Sequence, residues 1–116
     1  WLTQEASKFL YHFPTKPEKI TREILNRNFP REWKYVGDGQ VWIGGRNPDF
    51  MNINGQKKLI EVFGDYWHKG ETGEDRVSHF KKYGFETLIL WENEIYKKEN
   101  ETINKIFTFN SFQIAH

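Results

Sequence analysis

Cysteine is absent from this 116-residue sequence, and long apolar runs are absent as well. The lack of cysteine excludes disulfide bonds, thiolate-bound zinc and cysteine nucleophiles. Without a long apolar run or a signal-like segment, we expect no membrane span, and a cytoplasmic setting is the default. The sequence also has no initiator methionine and begins at Trp1. We therefore expect a piece of a longer protein whose companion domain is not included.

An excess of either charge is also lacking, since 17 Lys and Arg face 16 Asp and Glu. Near-neutrality alone does not suggest a nucleic-acid binder, yet binding depends on the local field, and catalytic carboxylates offset basic residues in the sum. The basic residues that either form patches or simply solvate the surface are Lys57, Lys58, Lys69, Arg76, Lys81, Lys82, Lys97 and Lys98. Aromatic residues, by contrast, make up 17% of the chain. Some must fill the core, and those near a site can stack on bases.

The length fits one domain. We assign residues 1–16 to an N-terminal linker with a helix over 3–11, and residues 17–116 to the main domain. Apolar spacing and Pro17 predict a helix over 17–28, with further helices over 74–83, 94–98 and 102–107. Strands are predicted over 33–36, 41–43, 49–53, 58–63 and 85–91, the last of them buried. A helix between the last two strands indicates a crossover, so we expect an α/β fold with a mixed sheet flanked by helices.

The central feature is Asn54-Gly55 between two predicted strands, a pattern typical of a type I′ hairpin turn. Asp49 before the turn and Glu61 after it interrupt apolar surroundings. A carboxylate in a mostly buried strand needs a partner, and two close carboxylates repel unless a cation lies between them. Hard oxygen ligands with room for water suit Mg²⁺. Taken singly, however, Asp49 is also typical of a turn and Glu61 of a solvent-facing strand position.

Three short segments carry a resemblance to a known family. They are Pro48-Asp49-Phe50, the apolar strand that contains Glu61, and Gly64-Asp65-Tyr66-Trp67-His68. In these segments the chain resembles the very short patch repair (Vsr) endonucleases and the homing endonucleases similar to them, and more distantly the PD-(D/E)XK nucleases. The resemblance covers residues 20–95. The chain departs from the wider superfamily at Phe63, where the last motif position is usually Lys.

The resemblance implies a restriction-endonuclease-like (Vsr-like) core. It implies hydrolysis of phosphodiester bonds in double-stranded DNA with Mg²⁺, for which Mn²⁺ substitutes. The metal would be held by Asp49, the backbone carbonyl of Val62 and Glu61. His68 would accept a proton from the attacking water, a role that suits imidazole near neutrality. Apart from the family, a His beside a Trp is more often structural.

Further acids follow from the same resemblance. In the family a Glu on the first helix faces the metal site, and Glu23 lies at a similar separation before Asp49, although a solvent-facing Glu shows the same pattern. An acid near the start of the helix after the hairpin approaches the catalytic His, and Glu74 and Asp75 both qualify. We assign this role to Asp75, which would orient His68. Acids also favour any helix N-terminus, which is the alternative for both.

The expected DNA contacts lie beside the same motif. In the family the aromatic pair before the His inserts into the DNA stack, so Tyr66 and Trp67 are the expected wedge. Core packing is the alternative for Trp67. Arg46 and Lys69 flank the site and are expected to contact phosphates, although Arg46 is equally typical of a plain loop. An additional DNA-binding domain in the longer chain and a homodimer both stay open.

The missing cysteine also bears on the choice within the family. The mismatch-repair members carry a Cys-containing structural zinc site, which this chain cannot form. The expected function is therefore the catalytic domain of a homing endonuclease in a bacterial or phage-infected cell. A mismatch-type nicking repair endonuclease is one alternative. Others are a nuclease-fold module that binds DNA without cutting it, and a partner-binding domain whose aromatic residues form a protein interface.

Overall fold

The computed structural model describes residues 14–64 and 73–112 of the chain. The helix predicted over 3–11 and the segment Asp65-Tyr66-Trp67-His68-Lys69 lie outside these residues. The helices are α1 (Lys16–Asn28), α2 (Gly73–Lys81), α3 (Glu92–Lys97) and α4 (Glu99–Ser111). The strands are β1 (Trp33–Tyr35), β2 (Phe50–Asn52), β3 (Lys58–Phe63) and β4 (Glu86–Trp91). None of the helices in this described part is long and apolar enough to cross a membrane.

The four strands form one mixed sheet in the order β1-β2-β3-β4. Strands β1, β2 and β3 pair antiparallel, with Met51 opposite Leu59 in the central hairpin. Strand β4 pairs parallel to β3, with Glu61 opposite Ile89. Parallel neighbours need a crossover connection, and α2 lies in that connection. The predicted α/β class, mixed sheet and crossover are therefore confirmed.

Helix α1 begins with a capping box that the sequence encodes directly. The Thr15 hydroxyl accepts from the Glu18 N–H at 3.4 Å, and Glu18 Oε1 accepts from the Thr15 N–H at 2.9 Å. These bonds satisfy donors that the first helical turn otherwise leaves open. The buried side of the helix consists of Glu18, Thr21, Ile24 and Leu25, which share one helical face. The predicted helix is confirmed, and its first buried side chain is an acid.

The sheet divides the core into two layers because alternate strand residues point to opposite faces. On one face, Ile60 packs in a cluster with Ile24 of α1, Ile95 of α3 and Ile106 of α4. On the other face, Leu59 packs with Phe80 of α2. Glu61 shares the alternation of Leu59 and therefore faces α2. This placement brings the acid of β3 to the helix that follows the hairpin.

Two details of the predicted hairpin are wrong. Gly55 has a positive φ of 87°, but Asn54 does not, so the turn is not type I′. Residues 53–57 form a longer loop, in which the Asn52 side-chain oxygen accepts from the N–H groups of Asn54 at 2.8 Å and Gln56 at 3.1 Å. An Asn side chain that caps the loop in this way removes the need for a two-residue turn.

Other boundaries also differ from the prediction. The strand predicted over 41–43 is only a bridge between Ile43 and Arg46, because Gly44 and Gly45 turn the chain back with φ of 57° and 81°. Helix α4 is longer than the predicted 102–107. Most of β4 is only partly buried rather than buried, because it is an outer strand of the described sheet.

Candidate active site

The central hairpin brings Asp49 and Glu61 together, as the sequence predicted. The Asp49 N–H donates to Glu61 Oε1 at 3.1 Å. The Val62 N–H donates to Asp49 Oδ2 at 2.8 Å. Each acid is therefore held by backbone N–H groups beside the other. These mutual bonds fix the Asp49 carboxylate directly before β2, beside the central strand.

Arg76 of α2 supplies the charge that balances Glu61. Its Nε and Nη2 both donate to Glu61 Oε2, at 3.2 Å and 3.0 Å. The pair is nearly sealed from solvent, with the Arg76 and Glu61 side chains 13% and 3% exposed. Both oxygens of Glu61 thus accept hydrogen bonds from protein donors. The sequence analysis expected Glu61 to bind metal, and in the structure its two oxygens accept from the Asp49 N–H and from Arg76; a metal role for Glu61 stays a prediction.

The same arginine reaches the segment that leads into Asp49. Its Nη2 donates to the Asn47 carbonyl at 3.1 Å. The Asn47 side-chain amide donates to the carbonyls of Val36 and Val41, both at 2.7 Å. We call Asn47, Asp49, Glu61 and Arg76 the acid network. It joins the loop before β2, the central strand and α2 through hydrogen bonds that leave little freedom for Asp49.

Asp49 is the electrostatically unfavourable member of the acid network. Desolvation raises its pKa well above the usual aspartate value, and the charges of Glu61 and Glu18 raise it further. The Val62 N–H and Arg76 oppose this rise in pKa. Asp49 is only half-buried. Its Oδ2 accepts from Val62, whereas within residues 14–64 and 73–112 no hydrogen bond reaches Oδ1. An open oxygen in a negative surrounding favours a cation or a proton.

Glu18, rather than Glu23, is the acid that α1 contributes to this region. Glu18 is buried, and its Oε1 accepts from the Tyr35 hydroxyl at 3.4 Å. Burial, followed by the charges of Glu18 and Asp49, raises the pKa of Tyr35. Glu23 is exposed on α1, so Glu18 is the buried acid of this helix, and a role for Glu23 at a metal stays a prediction. The spacing of Glu18 from Thr21 and Leu25 on the buried face is the sequence signal that would have identified it.

Some of the remaining predicted residues are described by the structure, and the others lie outside the described ranges. Asp75 and Glu74 are exposed in the first turn of α2, directly before Arg76. Arg46 is half-buried, and its backbone pairs with Ile43 across the Gly44-Gly45 turn. Tyr66, Trp67, His68 and Lys69 lie outside the described residues, so their roles stay predictions.

The donors near Asp49 fit a cation that takes few protein ligands. In the described ranges, no group of three or more His, Asp or Glu side chains is arranged to hold a metal ion. Among the described residues none bonds Asp49 Oδ1. The Val62 carbonyl points to the same side as the Val62 N–H, which meets the Asp49 carboxylate. Mg²⁺ is commonly bound through one or two carboxylates and keeps several waters. Asp49 and Val62 therefore fit Mg²⁺, whereas both oxygens of Glu61 already accept hydrogen bonds.

Comparison with known proteins finds a likeness in structure. No protein-family model matches the chain, and no curated protein sequence does so significantly. The solved structure "Homing Endonuclease I-Bth0305I Catalytic Domain" superimposes with a TM-score of 0.62 at 23% sequence identity. The match covers 82% of this chain and 93% of that one. At this identity the likeness shows a shared fold.

Proposed function

We propose that this chain is the catalytic domain of a DNA endonuclease of the homing type, and that it hydrolyses phosphodiester bonds with Mg²⁺. The observation that carries this proposal is Asp49, whose Oδ2 accepts from the Val62 N–H, whereas its Oδ1 accepts no hydrogen bond from the residues that the structure describes. The electrostatic surroundings of Asp49 favour a positive charge there. The fold shared with a homing endonuclease catalytic domain supports the same class of function.

The metal role falls to two groups of this chain. Asp49 Oδ1 and the Val62 carbonyl would hold the ion, and Mn²⁺ would substitute for Mg²⁺. A bound Mg²⁺ neutralises charge on the phosphate and lowers the pKa of a bound water. Glu18 acts from the α1 side, because its charge favours a cation at Asp49. Glu61 holds the Asp49 backbone and leaves the metal to Asp49 and Val62.

The proton-transfer and DNA-binding roles are proposed for residues around the same site. His68 would accept the proton of the attacking water, and Asp75 would orient His68. The position of Asp75 supports this, because it precedes Arg76, whose guanidinium bonds Glu61 in the acid network. The substrate would be double-stranded DNA. Its expected contacts are Tyr66, Trp67, Arg46 and Lys69, with Tyr66 and Trp67 as a wedge between bases.

Nicking of a supercoiled plasmid tests the proposal. The wild-type domain should nick with Mg²⁺ or Mn²⁺ and lose activity in EDTA. Asp49→Asn should fall to the EDTA background, and His68→Ala should lose roughly 10²–10⁴-fold in rate, as expected for a general base. Glu23→Gln is the matched control, since it removes an exposed acid and should retain the wild-type rate. Full activity in Asp49→Asn would reject the site.

A second candidate is a nuclease-fold module that binds DNA without cutting it. The observation that favours it is the pairing of Glu61 with Arg76, which gives one of the two hairpin acids a structural role. This function predicts DNA binding that weakens with salt and is unchanged by Asp49→Asn. It also predicts no nicking with Mg²⁺ or Mn²⁺. The plasmid experiment, combined with a DNA-binding titration, separates the two functions.

A further inference from the structure

We infer that Arg76 is a positioning residue that holds Asp49 in its metal-binding geometry, an inference that rests on the proposed function. Arg76 does not bond Asp49 in the described contacts. It bonds Glu61, which accepts from the Asp49 N–H, and it bonds the carbonyl of Asn47. Asp49 is therefore held from two directions by groups that Arg76 itself holds.

The guanidinium of Arg76 is itself fixed. It lies over the ring of Phe80, one turn later on α2, at 5.2 Å from the ring centre. Phe80 is fully buried in the core layer beneath α2. A planar guanidinium with several donors can stack on a ring and hold two acceptors at once, which a flexible ammonium cannot do equally well. The core therefore sets the position of Arg76, and Arg76 in turn sets the acid network.

Charge balance gives Arg76 a second reason to matter. Arg76 approaches Glu61 to 3.0 Å, and the two side chains are only 13% and 3% exposed. Removing one partner of a buried ion pair leaves the other charge without compensation. Without Arg76, the Glu61 carboxylate would have to rotate toward water or toward the metal. Either movement would release the Asp49 N–H, so the geometry at Oδ1 would be lost.

Arg76 also joins α2 to the strands. Its bond to the Asn47 carbonyl reaches the segment that leads into Asp49, and its bonds to Glu61 reach the central strand. A displacement of α2 would therefore be transmitted to Asp49 through these contacts.

The test compares Arg76→Gln with Lys81→Gln, which removes the same charge from the same helix. Lys81 reaches Glu86 at 4.0 Å, but its side chain is 69% exposed, so the pair is a surface contact. Mn²⁺ binding is measured by calorimetry and nicking is measured against metal concentration, both below the unfolding transition of every variant. DNA affinity is measured in EDTA.

Arg76→Gln should weaken Mn²⁺ binding by about 10–100-fold, the usual loss when a residue that orients a ligand is removed. DNA affinity in EDTA should stay within about twofold of the wild type. The Arg76 side chain is largely buried against Glu61, so we expect it to make no phosphate contact. Lys81→Gln should match the wild type in Mn²⁺ binding. The double variant Glu61→Gln with Arg76→Gln should lose less than the product of the single losses, because the two residues act as one unit.

Unchanged Mn²⁺ affinity in Arg76→Gln would overturn the inference. If the wild-type domain still nicked DNA with Mg²⁺ in that case, the proposed function would stand. An equal loss in Lys81→Gln would overturn it as well, since the effect would then follow the charge of the helix. Equal fractional losses of metal and DNA affinity would show a general structural defect and would also overturn it. A wild-type domain that neither binds Mn²⁺ nor nicks DNA would overturn the proposed function and this inference together.

Discussion

The two ends of the central strand β3 each bury a charged residue, and they satisfy it in different ways. At the first end, Lys58 is fully buried, and its Nζ donates to the carbonyls of Phe109, Asn110 and Phe112. These carbonyls belong to the C-terminal end of α4, where a positive charge is favoured. At the other end, Glu61 is buried between the Asp49 N–H and Arg76.

The two ends differ in how many of their polar atoms have hydrogen-bond partners. Three ammonium donors meet three carbonyl acceptors at Lys58, so its hydrogen bonds are complete. At the Glu61 end, both Glu61 oxygens accept hydrogen bonds, but no residue in the described part of the chain bonds Asp49 Oδ1. Burial lowers the pKa of Lys58, whereas burial and two glutamates raise that of Asp49. A closed set of bonds indicates a structural charge, and an open one indicates a site.

The largest stability effect should come from Lys58→Met, which keeps the aliphatic stem and removes the ammonium. The carbonyls at the end of α4 would lose their donor, which should cost about 2 kcal/mol in the free energy of unfolding. Urea denaturation measures this loss. Because Lys58 lies outside the acid network, the Mg²⁺ dependence of nicking should be unchanged. A shift in that dependence would break the contrast between the two ends.

Gly37→Ala should disturb the acid end from a distance. A Cβ at this position would lie 2.7 Å from the ring of Tyr35, whose hydroxyl bonds Glu18. A rigid ring in the core cannot yield easily, so overpacking should cost about 1–2 kcal/mol in the free energy of unfolding. Metal affinity should also fall as Glu18 moves. Gly45→Ala is the control for a glycine with open space around it, and its cost should come only from its positive φ of 81°.

Asp49→Asn should increase the free energy of unfolding at neutral pH. The gain should be smaller than the loss caused by Lys58→Met. Folding raises the pKa of Asp49 above its ordinary 3.8. The folded protein therefore binds the proton of the Asp49 carboxyl group more tightly than the unfolded chain does. Stability must then fall as the pH rises from the unfolded pKa through the native one. Asn carries no charge and avoids this loss. Urea denaturation at pH 4 and pH 8 should show the variant gaining over the wild type only at the higher pH.

A variant that is less stable than the wild type at pH 8 would contradict this account of Asp49. The same experiment on Glu23→Gln supplies the baseline for losing an exposed acid of α1. That variant should show little difference between the two pH values. Comparing Asp49→Asn with Glu23→Gln separates two effects on stability. One is the cost of a negative charge among the buried carboxylates, and the other is the change in net charge.

The smallest effect should come from a surface ion pair. Arg27 and Glu99 approach to 3.8 Å between α1 and α4, but their side chains are 65% and 51% exposed. Arg27→Gln should change the free energy of unfolding by no more than about 0.5 kcal/mol. A double-mutant cycle with Glu99→Gln measures the coupling. A coupling as large as that of Arg76 with Glu61 would show that burial is not what separates these pairs.

The sequence alone predicted the hairpin and the meeting of Asp49 with Glu61, because strand alternation and a turn signal are local. It did not predict Arg76 as the partner of Glu61, since that contact depends on how a crossover helix packs on the sheet. Glu23 was named from its separation before Asp49, whereas the helix phase places Glu18 on the buried face of α1. Lys58 was grouped with surface lysines because only the fold brings the end of α4 to it.

Calorimetric titration of Mn²⁺ into wild type, Asp49→Asn and Lys58→Met tests the contrast between the two ends most directly. The account predicts equal Mn²⁺ affinity for the wild type and Lys58→Met, and no binding by Asp49→Asn. Wild-type affinity in Asp49→Asn would contradict it, because the open carboxylate at the acid end would then not be the metal site.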